Sequence, residues 1–569
     1  MKRLISASLL AFGLAAFAVD PYAGYIYPSG IQAGTTNRFI IGGQALWNIK
    51  QVYFSGTGLH VLNIEKVPGF SPPTGIQRKH LKNWLDGIAA GKPEEPPKPD
   101  DPNINEWRSN SWWQALNTLD AGKLAIVEQD LFTQRNALQD TPSLRMKALV
   151  TVAADADAEC EWRSYSVVGG NGLSAPRPFE VSKLPRAEEP LYVPPHRAQP
   201  EPPLVDVRTG GATLDGQILP GSTDVFRLLL AAGRRYAFTV TARELQPYIG
   251  DAVPGFFNAA IVLKDGDGRV VASADDEARF RPDPVLDFTP AADGEYRLEI
   301  HDVLYRGRAD FVYSVAIDDF REKAVPKADS VVAKPGAVST KRFTVDAPGP
   351  RVLEVTARRR GSPLDAVLTL RRADGGAMLA QWDDVTNKVF TGTVAQGECD
   401  PIGIYDFKEA GEYVAEITDR TGHGGKDYVW WLDIRRPQPG FEVYSTRSTL
   451  PLRGAAPLKV DFCVLRKDGF DGSVEIEVPK TMRLAAKCVA TAGVEKVSAS
   501  IFYSGKRPAQ PQAAAITACA TIDGRKVRVP VVPCDEYEQA FAWRHLVPAK
   551  EFILTGVPGS PPKSKGKKK

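Results

Sequence analysis

Acidic residues recur at matching positions in two stretches of the chain, and clustered carboxylates are the groups that hard cations bind. The candidates in the first stretch are Asp275, Asp276, Asp283 and Asp302, and those in the second are Asp383, Asp384, Asp400 and Asp419. Ca²⁺ takes roughly six to eight oxygen ligands, and unpaired carboxylates held close together repel one another. The sequence therefore predicts that each stretch uses some of these residues to bind calcium.

The same carboxylates have a structural interpretation. Asp side chains accept hydrogen bonds from backbone amides in turns, and Arg306, Arg308 and Arg420 are near enough in sequence to pair with them. Neither stretch contains a complete calcium-binding EF-hand loop, because Asp265-Gly266-Asp267-Gly268 is only a tight turn. Both interpretations stay open at this stage.

Tryptophans lie beside the second acidic stretch. Trp382 immediately precedes Asp383, and Trp430 and Trp431 are adjacent further on. An exposed indole can stack on a sugar ring, so the three tryptophans are candidate ligand-binding residues. Side chains alternate between the two faces of a strand, so only one of Trp430 and Trp431 can face a core. Core packing is the alternative for each of them.

Catalytic motifs are absent from the sequence. It contains no G-x-S-x-G nucleophile elbow and no H-E-x-x-H zinc helix, and its six histidines are scattered over every region. We therefore predict no catalytic residue. A hydrolase remains the alternative, because the two acids of a glycosidase need only be close in space.

The elements that must position these residues are mostly short strands. The 49 glycines and 45 prolines indicate many turns. Helical spacing appears only where Ile76, Leu81, Trp84, Leu85 and Ile88 recur, near Trp112 and Trp113, and over Leu124 to Leu138. The pattern predicts an N-terminal β-sandwich interrupted by a helical insertion at about residues 70–142.

An internal repeat sets the domain organisation. Gly294 to Ile317 aligns with Gly411 to Ile434 without a gap, and ten of these 24 positions are identical. The predicted units are a signal peptide (1–18), an N-terminal domain (19–186), a Pro-rich linker (187–203), a first tandem domain (204–320), a second tandem domain (328–436), a C-terminal domain (440–556) and a disordered Lys-rich tail (557–569).

The first residues predict export. Lys2 and Arg3 precede an apolar run from Leu4 to Phe17, and Ala16-Phe17-Ala18 is a cleavage signal. Export permits disulfides, but the pairing among Cys463, Cys488, Cys519 and Cys534 stays open. Strand alternation predicts that Cys463 and Cys519 face away from the core.

The overall charge argues against one class of partner. The 71 basic and 68 acidic residues give a formal charge of +3, which is too balanced for a strongly basic nucleic-acid-binding protein. No segment beyond the leader is apolar enough to span a membrane. The lysines of the tail could attract an acidic polymer or simply keep the end of the chain solvated.

Three regions resemble known module families. The tandem domains, with Gly294-Glu295-Tyr296 and Gly411-Glu412-Tyr413, resemble bacterial pre-peptidase C-terminal domains, which are β-sandwiches on exported hydrolases and surface proteins. The N-terminal domain resembles an IPT/TIG immunoglobulin-like domain through Gly34-Thr35-Thr36 and Gly42-Gly43-Gln44, and the C-terminal domain resembles another Ig-like module. The resemblance implies an all-β chain of tandem sandwiches, Ig-like and jelly-roll-like. No protease domain accompanies them.

These observations together predict an exported, non-catalytic binding or scaffolding protein at the cell envelope or outside the cell. Its expected partners are a glycan, a cell-envelope component or another exported protein, without nucleic acid or a transmembrane span. Calcium is the one cofactor that the residues suggest. The alternative is an extracellular hydrolase, a peptidase or a glycosidase, or an accessory subunit of one.

Overall fold

The computed structural model is an all-β chain of tandem sandwiches, as predicted. It describes residues 20–67, 75–92, 100, 102, 115–133, 141–169, 172–246, 256–275, 283–319, 327–384, 400–453, 456–504, 508, 510–539 and 543–557. The predicted signal peptide, Trp112, Trp113, Asp276, Cys399 and residues 558–569 of the Lys-rich tail lie outside these residues, whereas Val557, the predicted first residue of the tail, ends a strand.

The N-terminal domain packs two four-stranded sheets face to face, in the orders β1-β3-β6-β5 and β2-β8-β7-β4. Phe39, Val150 and Phe179 meet between the sheets because alternate residues of each strand point inward. The strands are β1 Tyr22–Tyr27, β2 Gly30–Gln32, β3 Thr36–Gln44, β4 Gln51–Phe54, β5 Leu59–Val67, β6 Met146–Ala154, β7 Trp162–Val168 and β8 Arg177–Ser182.

The helical insertion lies between β5 and β6, which pair directly with each other. Helix α1 spans Gly75–Ala89 and buries Leu81, Trp84 and Leu85. Helix α2 spans Ala121–Phe132 and begins at Asp120, whose carboxylate accepts a 2.9 Å hydrogen bond from the Lys123 amide. Neither described helix has the length and apolar character needed to cross a membrane.

The first tandem domain has sheets in the orders β10-β12-β17-β14-β15 and β16-β13-β18-β11-β9. Strand β9 comes from the boundary between the N-terminal domain and the linker, and it pairs in parallel with β11. The strands are β9 Arg186–Glu188, β10 Leu204–Asp206, β11 Ala212–Gln217, β12 Asp224–Leu230, β13 Tyr236–Thr241, β14 Ala259–Lys264, β15 Val270–Ala274, β16 Val285–Phe288, β17 Gly294–Asp302 and β18 Val312–Asp319.

The second tandem domain repeats this arrangement. Its sheets have the orders β20-β25-β22-β23 and β24-β21-β26-β19, which match β12-β17-β14-β15 and β16-β13-β18-β11 strand for strand. The internal repeat is therefore a repeat of topology. The strands are β19 Ser330–Val331, β20 Ser339–Val345, β21 Gly349–Thr356, β22 Ala366–Arg372, β23 Met378–Trp382, β24 Ile402–Phe407, β25 Gly411–Asp419 and β26 Val429–Arg435.

The C-terminal domain is built from sheets β27-β29-β33-β31 and β32-β30-β35-β36, with a third sheet, β28-β39-β34, and the hairpin β37-β38. The strands are β27 Gly440–Ser445, β28 Thr449–Arg453, β29 Leu458–Lys467, β30 Val474–Glu477, β31 Met482–Leu484, β32 Val489–Ala490, β33 Lys496–Tyr503, β34 Gln512–Ala514, β35 Thr517–Ile522, β36 Arg525–Pro530, β37 Cys534–Gln539, β38 Trp543–Pro548 and β39 Phe552–Val557.

The cysteines of this domain are buried free thiols. Cys463 and Cys519 lie outside the main core cluster, as alternation predicts. Cys463 is nevertheless only 4% exposed, because it packs with Cys534 and Leu546 beneath the β37–β38 hairpin. Burial raises the pKa of the Cys463 thiol to about 11, which makes it a poor nucleophile.

A buried ionic network joins the N-terminal domain to the first tandem domain. The fully buried Asp215 accepts hydrogen bonds of 2.8 and 2.7 Å from the Arg186 guanidinium and one of 3.1 Å from the Ser29 hydroxyl. Arg186 also donates to Glu180 at 2.6 Å. Because both carboxylates and the guanidinium are satisfied, these groups can remain charged inside the junction.

Two further junctions involve the C-terminal domain. Tyr53 of the N-terminal domain donates to Glu551 at 2.6 Å, and Lys550 donates to Glu161 at 2.9 Å. Arg435, at the end of the second tandem domain, pairs with Asp468 of the C-terminal domain. The N-terminal domain therefore contacts modules that follow it directly and modules at the far end of the chain.

We expect Asp215→Ala to lower the free energy of unfolding by about 3–5 kcal/mol, because it leaves the Arg186 charge buried without its main partner. Urea denaturation followed by circular dichroism measures the loss. Asp206→Ala is the matched control, because the Asp206–Arg208 pair is half exposed and screened by solvent, so its loss should cost far less. Equal losses in the two variants would contradict a structural role for the network.

Candidate functional site

Two of the eight predicted calcium ligands are turn caps. The Asp283 carboxylate accepts hydrogen bonds of 2.8, 2.8 and 2.9 Å from the amides of Ala242, Arg243 and Glu244. Asp400 does the same in the second tandem domain, where it accepts from the amides of residues 357, 358 and 359. Both side chains are buried at 1% exposure, so these hydrogen bonds replace water.

Another two cap the turn after a core strand. Asp302 accepts from the amides of Asn258, Leu304 and Arg306 and from the Arg306 side chain. Burial alone would raise the pKa of Asp302, but these hydrogen bonds outweigh it and leave the pKa lowered. Asp419 is the counterpart in the second tandem domain, and it accepts from the amides of residues 365, 421 and 423.

Four of the expected calcium ligands therefore have the structural role that was the alternative for them. Asp283, Asp302, Asp400 and Asp419 are occupied by backbone amides, which is the alternative that the sequence left open. Their recurrence in both tandem domains reflects two turns that each copy must cap. Asp275 lies exposed after β15, and Asp276 is outside the described residues.

Asp383 and Asp384 belong to a different group, which we name the Asp365 cluster. It consists of Asp365, Asp383 and Asp384, and one carboxylate oxygen of each lies within 4.8 Å of the others. Asp365 directly precedes β22, and the other two follow β23, its antiparallel neighbour. The sheet therefore brings together residues 18 positions apart in the sequence. Asp365 was not among the predicted ligands, although it directly precedes the apolar residues of β22 in the sequence.

The tryptophans are mainly structural. Trp430 is fully buried in the core of the second tandem domain, so the expectation that it binds a ligand is corrected. Trp431 points to the other face, as alternation requires, and the Arg360 guanidinium lies 4.8 Å above its ring. Trp382 is half buried with its indole against the backbone of Gly403, where a Cβ atom would lie 1.9 Å from the ring.

A groove of about 700 Å³ runs between the Pro-rich linker, the end of α2 and the loop between β11 and β12. Its walls combine prolines with half-buried aromatic rings. They include Phe132, Pro190, Tyr192, Pro200, Pro202 and Pro220. Apolar walls with a few polar groups at fixed positions are typical of ligand sites.

Two carboxyl groups line this groove. They belong to Glu189 of the linker and to Asp224 at the start of β12, and each shifts the pKa of the other. The Tyr313 hydroxyl donates to Asp224 at 2.8 Å. We name Glu189 and Asp224 the carboxyl pair.

The carboxyl pair holds a proton more tightly than isolated acids do. Burial raises the pKa of Asp224 to about 7. Burial also raises the pKa of Glu189, and the neighbouring Asp224 charge adds to the shift. One carboxylic acid can therefore donate a hydrogen bond while the other accepts one. Sequence analysis assigned Glu188-Glu189-Pro190 only to a linker, and nothing in the local pattern indicates that Asp224 is its partner.

We expect Asp400→Ala to lower the free energy of unfolding by about 1–3 kcal/mol, because three backbone amides lose an acceptor that is itself buried. The loss should be the same in EDTA and in excess calcium, since the role is a cap. Asp406→Ala, on the exposed face of the same domain, is the control and should cost far less. A loss that appears only with calcium would restore Asp400 as a metal ligand.

The carboxyl pair predicts a pH dependence. The folded protein holds a proton that the unfolded chain has released, so the pair destabilises the fold progressively as pH rises from about 4 to about 7. Asp224→Asn retains the hydrogen bonds and removes one titrating group. We expect its melting temperature to fall less between pH 5 and pH 8 than that of the wild type. Asp287→Asn, at an exposed ion pair, should follow the wild type. Superimposable profiles for all three proteins would contradict this.

No protein-family model matches the chain, and no curated protein matches it. Among solved structures, the fibronectin(III)-like modules of Clostridium thermocellum CbhA align with 36% of this chain and 94% of theirs, at 12% identity and a TM-score of 0.12. Native Escherichia coli alpha-2-macroglobulin aligns with 91% of this chain at 10% identity and a TM-score of 0.11, and the chain covers 28% of that protein. Likenesses this weak support no inference about function.

Proposed function

We propose that the protein is an exported, non-catalytic binding protein that acts at the cell envelope or outside the cell. Its binding site is the groove between the linker and the first tandem domain, and its partner is a glycan or another exported protein. The observation that carries the proposal is the groove itself, with aromatic and proline walls around the carboxyl pair.

The groove chemistry suits a hydroxyl-rich or peptide ligand. Tyr192 and Phe132 offer flat apolar faces, and the carboxyl pair offers both a donor and acceptors at one position. Sugar hydroxyls and peptide amides both require such mixed hydrogen bonding. The described residues that line the groove include neither Lys nor Arg.

The module junctions supply the scaffolding part of the proposal. Strand β9 continues from the N-terminal domain into a sheet of the first tandem domain, and the Asp215 network closes the same junction. A groove whose walls come from the insertion, the linker and the first tandem domain needs these parts held in register. The buried junction provides that rigidity, because breaking it would expose unpaired charges.

A hydrolase is the second candidate, and the carboxyl pair is the observation that favours it. Two acids that share a proton can activate a water molecule and protonate a leaving group, as in aspartic proteases.

A glycan array and a pull-down from the envelope fraction test the binding proposal with the purified protein. We expect specific retention of one ligand class and a loss of at least about ten-fold in retention for Tyr192→Ala, which removes one aromatic wall. Trp47→Ala is the matched control, since Trp47 is an aromatic residue 57% exposed on the N-terminal domain. Retention unchanged in Tyr192→Ala would contradict the groove as the site. Turnover of peptides or glycans that Asp224→Asn abolishes would replace the proposal with the hydrolase.

A further inference from the structure

The Asp365 cluster contains a carboxylate oxygen that the described protein leaves unpartnered. Asp365 is 9% exposed, and its Oδ1 atom is buried and accepts no hydrogen bond. Buried charged acceptors are normally satisfied, because an unmade interaction there costs free energy. In the four capping aspartates, backbone amides fill this role. At Oδ1 of Asp365 no described residue fills this role.

The spacing of the cluster fits a single cation. One oxygen from each of Asp365, Asp383 and Asp384 lies within 4.8 Å of the other two. Oxygens on opposite sides of a Ca²⁺ ion are about 4.8 Å apart, because each Ca–O distance is about 2.4 Å. The three carboxylates are therefore close enough together to share one ion.

The neighbouring arginines leave ligand positions open. The Arg358 guanidinium lies 3.5 Å from Oδ2 of Asp365, which is the carboxylate oxygen other than the unpartnered Oδ1. The Arg420 guanidinium pairs with Asp383. The cluster thus retains carboxylate repulsion that the two arginines do not remove, and a divalent cation would relieve it.

The first tandem domain provides a natural comparison. Asn258 occupies the position of Asp365, since each donates its amide at 2.9 Å to the equivalent capping aspartate. The Oδ1 atom of Asn258 is also buried without a partner. The shared fold therefore accepts an amide at this position, and only the second copy places a negative charge there.

We propose that the second tandem domain binds one Ca²⁺ ion through Asp365, Asp383 and Asp384, and that the first tandem domain lacks this site. The proposal is narrower than the eight-residue expectation from the sequence, and it is independent of ligand binding in the groove. Three carboxylates on a partly exposed surface correspond to a dissociation constant of about 10⁻⁴ to 10⁻³ M, the range of extracellular calcium modules.

Calorimetric titration of CaCl₂ into the EDTA-dialysed protein is the direct test. We expect one site per chain in that affinity range and a change in tryptophan fluorescence, because Trp382 immediately precedes Asp383. At ten times the dissociation constant, calcium should raise the melting temperature by about 4 °C. Mg²⁺ should bind at least about ten-fold more weakly, because it requires a smaller octahedral site. Equal binding of Mg²⁺, or no heat and no fluorescence change up to 10 mM calcium (about ten times the weakest expected constant), would overturn the proposal.

Variants locate the ion. Asp365→Asn reproduces the residue of the first tandem domain and should weaken calcium binding at least about ten-fold while leaving melting in EDTA nearly unchanged. Asp384→Asn is a second test that does not depend on a buried substitution, because Asp384 is exposed. Asp275→Asn, which removes the matching exposed acid of the first copy, is the control and should bind as the wild type does. Wild-type affinity in Asp384→Asn, or lost affinity in Asp275→Asn, would place the ion elsewhere and overturn the assignment.

Discussion

Buried aspartates that accept hydrogen bonds from backbone amides stabilise the turns of this chain. A sandwich needs tight turns at both ends, and in this chain the amides of several such turns donate to buried carboxylates. Asp283 and Asp400 each satisfy three such amides, and Asp535 accepts from the amide and hydroxyl of Ser448 in the C-terminal domain. A carboxylate is suited to this because its two oxygens offer several acceptor positions and the amides stabilise its charge.

Because a buried carboxylate needs hydrogen-bond donors, the acids that lack such donors in the fold are candidates for a functional role. When a buried carboxylate has amides or a guanidinium around it, its presence is explained by the fold. Asp365 has an oxygen with no such partner, and Glu189 and Asp224 face each other. At these positions a cation or a ligand can provide the interactions that backbone amides provide for the other buried acids. These positions lie in different domains, so cation binding and groove binding are separable properties.

The junction between the N-terminal domain and the first tandem domain also depends on a buried carboxylate with hydrogen-bond donors around it. Asp215 is fully buried and pairs with Arg186, while Ser29 from the N-terminal domain supplies a further hydrogen bond. The linker between these modules is short of apolar residues, yet its first residues join a sheet of the next domain. A change in the relative position of the two modules would break these hydrogen bonds and leave buried charges without partners.

The sequence by itself determined the all-β class, the helical insertion and the tandem repeat, because strand alternation, helical spacing and repeated turn residues are local signals. It also predicted that Trp430 and Trp431 point to opposite faces. It did not separate capping aspartates from cation ligands, since both roles require the same residue type in the same loops. Only the tertiary structure decided this, because the amides that occupy Asp283 come from residues 242–244, about 40 positions away. Asp365 and the carboxyl pair emerged in the same way, because sheet pairing and linker docking bring together groups that are distant in the chain.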